Sequence, residues 1–163
     1  MMFSSELLEK AEVLLEAYRK KGWMLATAES CTGGLISGCL TEIAGSSDVV
    51  ERGFVTYTNT AKMEMLGVAS ATLERVGAVS GEVAEEMAAG ALAHSPVQAT
   101  LSATGIAGPG GGSADKPVGL VYFGMATQQG LRSHERHVLS GNRSEVRRQS
   151  VSIALDLLLD ATR

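Results

Sequence analysis

The stretch WMLATAESCTGGLISGCLTEIA, residues 23–44, decides the fold. It opens on a short apolar run, 23–28, which reads as a buried strand. It closes on a helical stripe in which Leu35, Ile36, Cys39, Leu40 and Ile43 share one face. Between them lies a polar turn, Glu29-Ser30-Cys31-Thr32-Gly33-Gly34. A strand that passes through such a turn into a helix is the building unit of layered α/β domains.

Reading outward, the same alternation continues. Residues 5–21 form an amphipathic helix, with Ser4 or Ser5 to cap it and Gly22 to end it. Residues 52–58 read as a strand. NTAKMEMLG reads as a short helix that starts at Thr58 or Asn59 and stops at Gly67. Residues 80–94 are a helix capped by Ser80, with Glu82, Glu85 and Glu86 near its positive end. Residues 97–103 are a strand, and a glycine-rich loop runs from Gly105 to Pro117. VGLVYFGMAT and LRSHERHVL pair as a hairpin across Gln129-Gly130, and a last helix covers Arg143 to Thr162. This order predicts a three-layer α/β/α sandwich around a mixed, mostly parallel sheet, as one domain over residues 1–163.

Composition agrees. A chain of 163 residues is long enough to bury its own core without disulfides or metal. With 45% apolar and 20% charged residues it is an ordinary globular chain. A net charge of −4 argues against nucleic acid as a partner. No apolar stretch approaches a membrane span, and the N-terminus does not resemble a signal peptide, so a cytoplasmic protein is expected. Cys31 and Cys39, eight apart, match neither a redox pair nor a zinc site and read as small buried hydrophobes.

Three predicted strand ends carry small polar residues. They are the turn 29–34, the segment Tyr57-Thr58-Asn59-Thr60-Ala61-Lys62, and the segment 104–110 that begins Thr104-Gly105. In open α/β sheets ligands bind beyond the carboxyl ends of the strands, so these loops are expected to converge. Ser30 sits where a hydroxyl is exposed beside backbone N–H groups that could hold an oxyanion; it could equally just cap the helix. Gly33 and Gly34 leave room for a ligand. A serine nucleophile needs a base. His94 lies at the far end of a helix. His134 and His137, three apart on a strand, face opposite ways and do not read as a metal pair. Of the five lysines, Lys62 alone stands at a strand-to-helix junction, where burial and the helix dipole would favour the neutral amine. A solvated Lys62 is the alternative. Tyr57 could relay a proton or simply pack in the core. The loop 105–117 fits neither the dinucleotide nor the Walker fingerprint, yet its N–H groups could meet an anion. Arg143, after Gly141-Asn142, could pair with a phosphate or stay solvated beside Arg147 and Arg148.

Four motifs, ATAESCTGGLIS, GFVTYTNTAKMEMLGV, VSGEVAEEMA and SATGIAGPGGGSADKPVGLVYFG, together resemble the CinA carboxy-terminal domain family, also called the PncC or nicotinamide-nucleotide amidase family. The resemblance runs from about residue 5 to 160 and implies an α/β/α fold. It implies an amidohydrolase that converts nicotinamide mononucleotide to nicotinate mononucleotide and ammonia, without metal or cofactor, in pyridine nucleotide recycling. Carried over by position, it implies catalytic roles for Ser30, Lys62 and Tyr57. Substrate contacts are then expected from Glu29, Cys31, Gly33, Gly34, Asn59, Thr104, Gly105 and Arg143. Larger relatives carry a further amino-terminal domain, so a stand-alone amidase is expected, in a homo-oligomer with a dimer favoured. The alternatives are a nucleotide-binding or regulatory module of the same fold, and a peptidase or esterase with the same dyad.

Overall fold

A computed structural model describes all residues from Met1 to Arg163. Helix α1 (Ser5–Lys21) starts at Ser4, whose hydroxyl accepts the Leu7 N–H, and ends at Gly22 in the left-handed region. Strand β1 (Leu25–Glu29) follows and is buried along its whole length. Helix α2 (Leu35–Thr41) leads through a single 3₁₀ turn to β2 (Val50–Val55). Helices α3 (Asn59–Leu66), α4 (Ser70–Val76) and α5 (Gly81–Ala93) come next. Strands β3 (Ala99–Gly105), β4 (Leu120–Thr127) and β5 (Arg132–Val138) precede the last helix, α6 (Arg143–Asp160).

The five strands order as β2-β1-β3-β4-β5. β1 pairs in parallel with β2 and β3, and the β3–β4 and β4–β5 ladders are antiparallel. Only β4 therefore runs against the other four, the mixed, mostly parallel sheet that the sequence predicts. Helices α1, α2 and α6 pack together on one face, and α3, α4 and α5 on the other. The alternation along β1 shows how one strand serves both layers. Leu25 joins the core beneath α1 and α6, whereas Ala28 joins the smaller core of Leu66, Val83 and Met87 under α5. On β3 the hydroxyls of Thr100, Ser102 and Thr104, two apart, all face α5. They donate to the carbonyls of Ala88, Ala84 and Ala78. Buried polar groups must be paired, so these bonds fix how α5 and the segment before it lie on the sheet.

Some boundaries differ from the sequence reading. β2 ends at Val55 rather than 58, because the Thr56 N–H makes the last contact to β1, at the Glu29 carbonyl, and Thr58 turns to cap α3. β3 runs two residues later than read, since Thr104 and Gly105 still pair with Tyr122 and Val121. Helix α4 has no counterpart in the sequence reading. It has neither a fully buried side chain nor a side-chain cap, so the usual signals of a helix are missing. His134 contacts Glu85 on α5, while His137 stacks edge-on against Phe123, so the two histidines do face opposite ways.

Candidate active site

Because β1, β2 and β3 are parallel, their carboxyl ends lie along one edge of the sheet. Ser30 follows β1, Thr56 and Tyr57 follow β2, and Thr104 and Gly105 close β3. These ends surround a cavity of about 220 Å³. Ser30, Cys31, Tyr57, Asn59, Lys62, Thr104, Gly105 and Arg143 line it. Ala78, Val79 and Ala107 complete the wall. None of these three stands out in the sequence as a candidate site residue, because a small apolar side chain carries no chemical signal.

At the centre are Ser30 and Lys62. Lys62 is only 1% exposed. Its Nζ lies 3.0 Å from Ser30 Oγ, 2.9 Å from the Thr56 carbonyl and 3.2 Å from the Tyr57 carbonyl. No carboxylate pairs with it. Burial therefore pushes the Lys62 ammonium below its ordinary value. Its place in the first turns of α3, near the positive end of the helix dipole, acts in the same direction. The partner set suits the neutral amine, which has two protons and one lone pair. As the ammonium, Nζ donates to both carbonyls and to Ser30 Oγ; as the neutral amine it keeps the two carbonyl contacts and turns its lone pair to the Ser30 hydroxyl.

Glu29 is fully buried and does not line the cavity. Its carboxylate accepts the N–H groups of Gly34, Ile36 and Ser37 and the Thr27 hydroxyl. It thus caps α2 internally, a structural task rather than the expected substrate contact. Gly33 and Gly34 are likewise off the cavity wall. Both have positive φ, 57° and 100°, and they make the turn by which the chain leaves Ser30 for α2. Within that turn the Ser30 carbonyl accepts the Gly33 N–H and the Thr32 carbonyl accepts the Leu35 N–H. The N–H groups of Cys31 and Thr32 have no acceptor in the protein.

Tyr57 differs from the expected relay. Its side chain is 58% exposed, and its hydroxyl accepts from Arg143 Nη2 at 3.0 Å, away from the Ser30–Lys62 contact. What Tyr57 offers Lys62 is its backbone carbonyl. The second donor of Arg143, Nη1, meets the Gly108 carbonyl at 2.9 Å. Both acceptors are neutral and Arg143 has no carboxylate partner, so its charge is free to meet an anion. Cys31 and Cys39 are buried free thiols, and burial pushes the Cys31 thiol up to about 11. Lys116 ties the glycine loop to the end of α4 through the Val76 carbonyl.

A family model described as the CinA C-terminal domain matches residues 8–162. The chain is 48% identical over 158 residues to nicotinamide-nucleotide amidohydrolase PncC of Enterobacter agglomerans, covering 97% of this chain and 96% of that one. It is 48% identical over 157 residues to the Escherichia coli K12 protein of the same name, covering 96% and 95%. The crystal structure of competence/damage inducible protein CihA from Agrobacterium tumefaciens superposes with a TM-score of 0.96 at 49% identity, over 99% and 98% of the two chains.

Proposed function

The chain belongs to the CinA C-terminal domain family, and from that membership we propose that it is a nicotinamide-nucleotide amidohydrolase. It releases ammonia from nicotinamide mononucleotide and forms nicotinate mononucleotide, in pyridine nucleotide recycling. The observation that carries the site assignment is the 3.0 Å contact between Ser30 Oγ and a buried Lys62 amine that has no counter-ion.

The chemistry follows from that contact. The Ser30 O–H donates to the Lys62 lone pair, and as Oγ attacks the carboxamide carbon its proton passes to Nζ. The carbonyl oxygen gains charge, which the free N–H of Cys31, on the cavity wall, stabilises. Lys62 then returns the proton to the departing nitrogen, the C–N bond breaks, and ammonia leaves an ester on Ser30. Water, giving its proton to the same amine, hydrolyses the ester and restores Ser30. Arg143, at the cavity mouth, binds the phosphate of the nucleotide, while Asn59, Thr104 and Gly105 shape the wall around the base and sugar. Tyr57 orients Arg143 through its hydroxyl and Lys62 through its carbonyl.

No helix is long and apolar enough to cross a membrane; we propose the cytoplasm as the place of work, on the amidase reading of a free nucleotide substrate. We assign the whole chain, 1–163, to one amidase domain. We also assign it a homodimeric state, supported by the edge position of β2 and by Val55 at its end, 47% exposed; a monomeric mass by light scattering would end that assignment.

The test is ammonia release from nicotinamide mononucleotide by wild type and Ser30→Ala, side by side. Wild-type turnover with a loss of roughly 1,000-fold or more in Ser30→Ala is expected. Binding of the nucleotide with no turnover by wild type would make the chain a nucleotide-binding module instead.

A further inference from the structure

Arg147 is not on the cavity wall, and nothing in the sequence distinguishes it from its neighbour Arg148. It lies one helical turn beyond Arg143 on α6, half-buried, and no carboxylate pairs with it. Its Nε donates to the Cys31 carbonyl at 3.1 Å, and its Nη2 to the Thr32 carbonyl at 3.3 Å. A cation from the last helix thus grips the turn that follows the nucleophile.

The consequence is geometric. A trans peptide unit is planar, so its C=O and its N–H point in opposite directions. With the Cys31 C=O drawn to Arg147, the Thr32 N–H faces the other side of the turn. The preceding unit is fixed in the same manner, because the Ser30 C=O accepts the Gly33 N–H at 3.0 Å and so turns the Cys31 N–H outward. These are the two N–H groups beside Ser30 that have no acceptor. The fit is close, since a Cβ on Gly33 would stand 3.3 Å from Arg147 Nη2. A guanidinium can serve two carbonyls at once from a rigid fork, which an ammonium cannot do with the same geometry.

We propose that Arg147 is a positioning residue for the amidase reaction: it holds the Cys31–Thr32 segment so that the free N–H of Cys31, on the cavity wall, meets the oxyanion formed by Ser30 attack. This rests on the amidase reading above. The Arg147 charge also reaches the cavity, where it opposes the effect of burial on the Cys31 thiol. Loss of one oxyanion donor typically costs about 100- to 1,000-fold in kcat. Loss of the residue that only aims such donors is expected to cost less, about 10- to 100-fold, and to leave KM almost unchanged, because the group acts in the transition state alone.

The experiment measures kcat, KM and the pH profile of ammonia release from nicotinamide mononucleotide for wild type, Arg147→Met, Arg147→Lys and Arg148→Met. Arg147→Met is expected to lower kcat by about 10- to 100-fold with KM within about threefold. Arg147→Lys is expected to recover part of the loss, and Arg148→Met to match wild type. The acid limb of the profile is expected to keep its midpoint and lose only height. A lower melting temperature with wild-type kcat would overturn the proposal, making Arg147 a structural tie between α6 and the turn. A displaced midpoint would also overturn it, by putting the effect on Lys62. If Arg147→Met does not fold, Arg147→Lys decides on the same criteria, and wild-type kcat in that variant overturns the proposal. An inactive wild type would be the failure of the amidase reading itself, which is a separate result.

Discussion

Lys62 stabilises the reaction at some cost to the fold. In the unfolded chain its amine has the ordinary value of 10.5, and burial lowers it in the folded protein. Between the two values the unfolded chain binds more protons, so stability rises with pH across that window. Below it both states are protonated, and the full cost of burying the cation is present. Lys62→Met is therefore expected to abolish turnover, and its melting temperature relative to wild type should be most favourable at pH values below the folded-state value of Lys62. That advantage should shrink as the pH approaches 10.5. Thermal scans of both proteins over pH read the trend, and a pH-independent difference would mean that Lys62 is not titrating at a depressed value. Arg143 separates binding from chemistry. Arg143→Ala is expected to raise KM by about tenfold or more with a smaller fall in kcat. The two proteins should behave alike on the riboside that lacks the phosphate. Equal KM values on the nucleotide would remove the phosphate role.

At the scale of elements, the position of Lys62 depends on how closely α3 can approach α5. Gly90 on α5 makes that approach possible, because a Cβ there would stand 1.9 Å from the Leu66 carbonyl at the end of α3. Gly90→Ala must push α3 outward, so it is expected to cost stability and to lower kcat by separating Lys62 from Ser30. Kinetics on the folded fraction tests this, and an unaltered kcat would show that α3 can move without disturbing the dyad. What the sequence makes legible here follows from its signals. Ser80 and Thr58 are read as caps because short hydroxyl side chains at those places satisfy free N–H groups, and both do so. The sequence groups Glu29 with the expected substrate contacts, whereas its three N–H partners become visible only once α2 is folded over it. The direction of the Tyr57 side chain is illegible for a related reason. Chain position sets its carbonyl beside Lys62, but only the arrival of α6, 86 residues later, reveals where its hydroxyl goes. Arg147 carried no signal at all, since two carbonyl acceptors leave no trace in a sequence.

At the scale of the whole molecule, the sheet order makes the site. β1 lies between β2 and β3, so the turns after these parallel strands meet at one edge, where the chain changes direction across the sheet. The antiparallel β4–β5 hairpin then returns the chain to α6, which delivers Arg143 to the cavity mouth and Arg147 to the turn behind Ser30. The alternation of helices and strands was readable from periodicity. The contacts that α6 makes to Tyr57 and Cys31 were not, because they join segments more than 80 residues apart. The buried amine at the centre is thus a product of the assembled fold, and its titration reports the chemistry directly. The measurement to make is the pH dependence of kcat/KM for ammonia release from nicotinamide mononucleotide by wild type and Lys62→Ala. A rate that rises with pH through a midpoint below 10.5, with the activity lost in the variant, is expected if the neutral amine is the base for Ser30. A flat profile together with an active Lys62→Ala protein would contradict it.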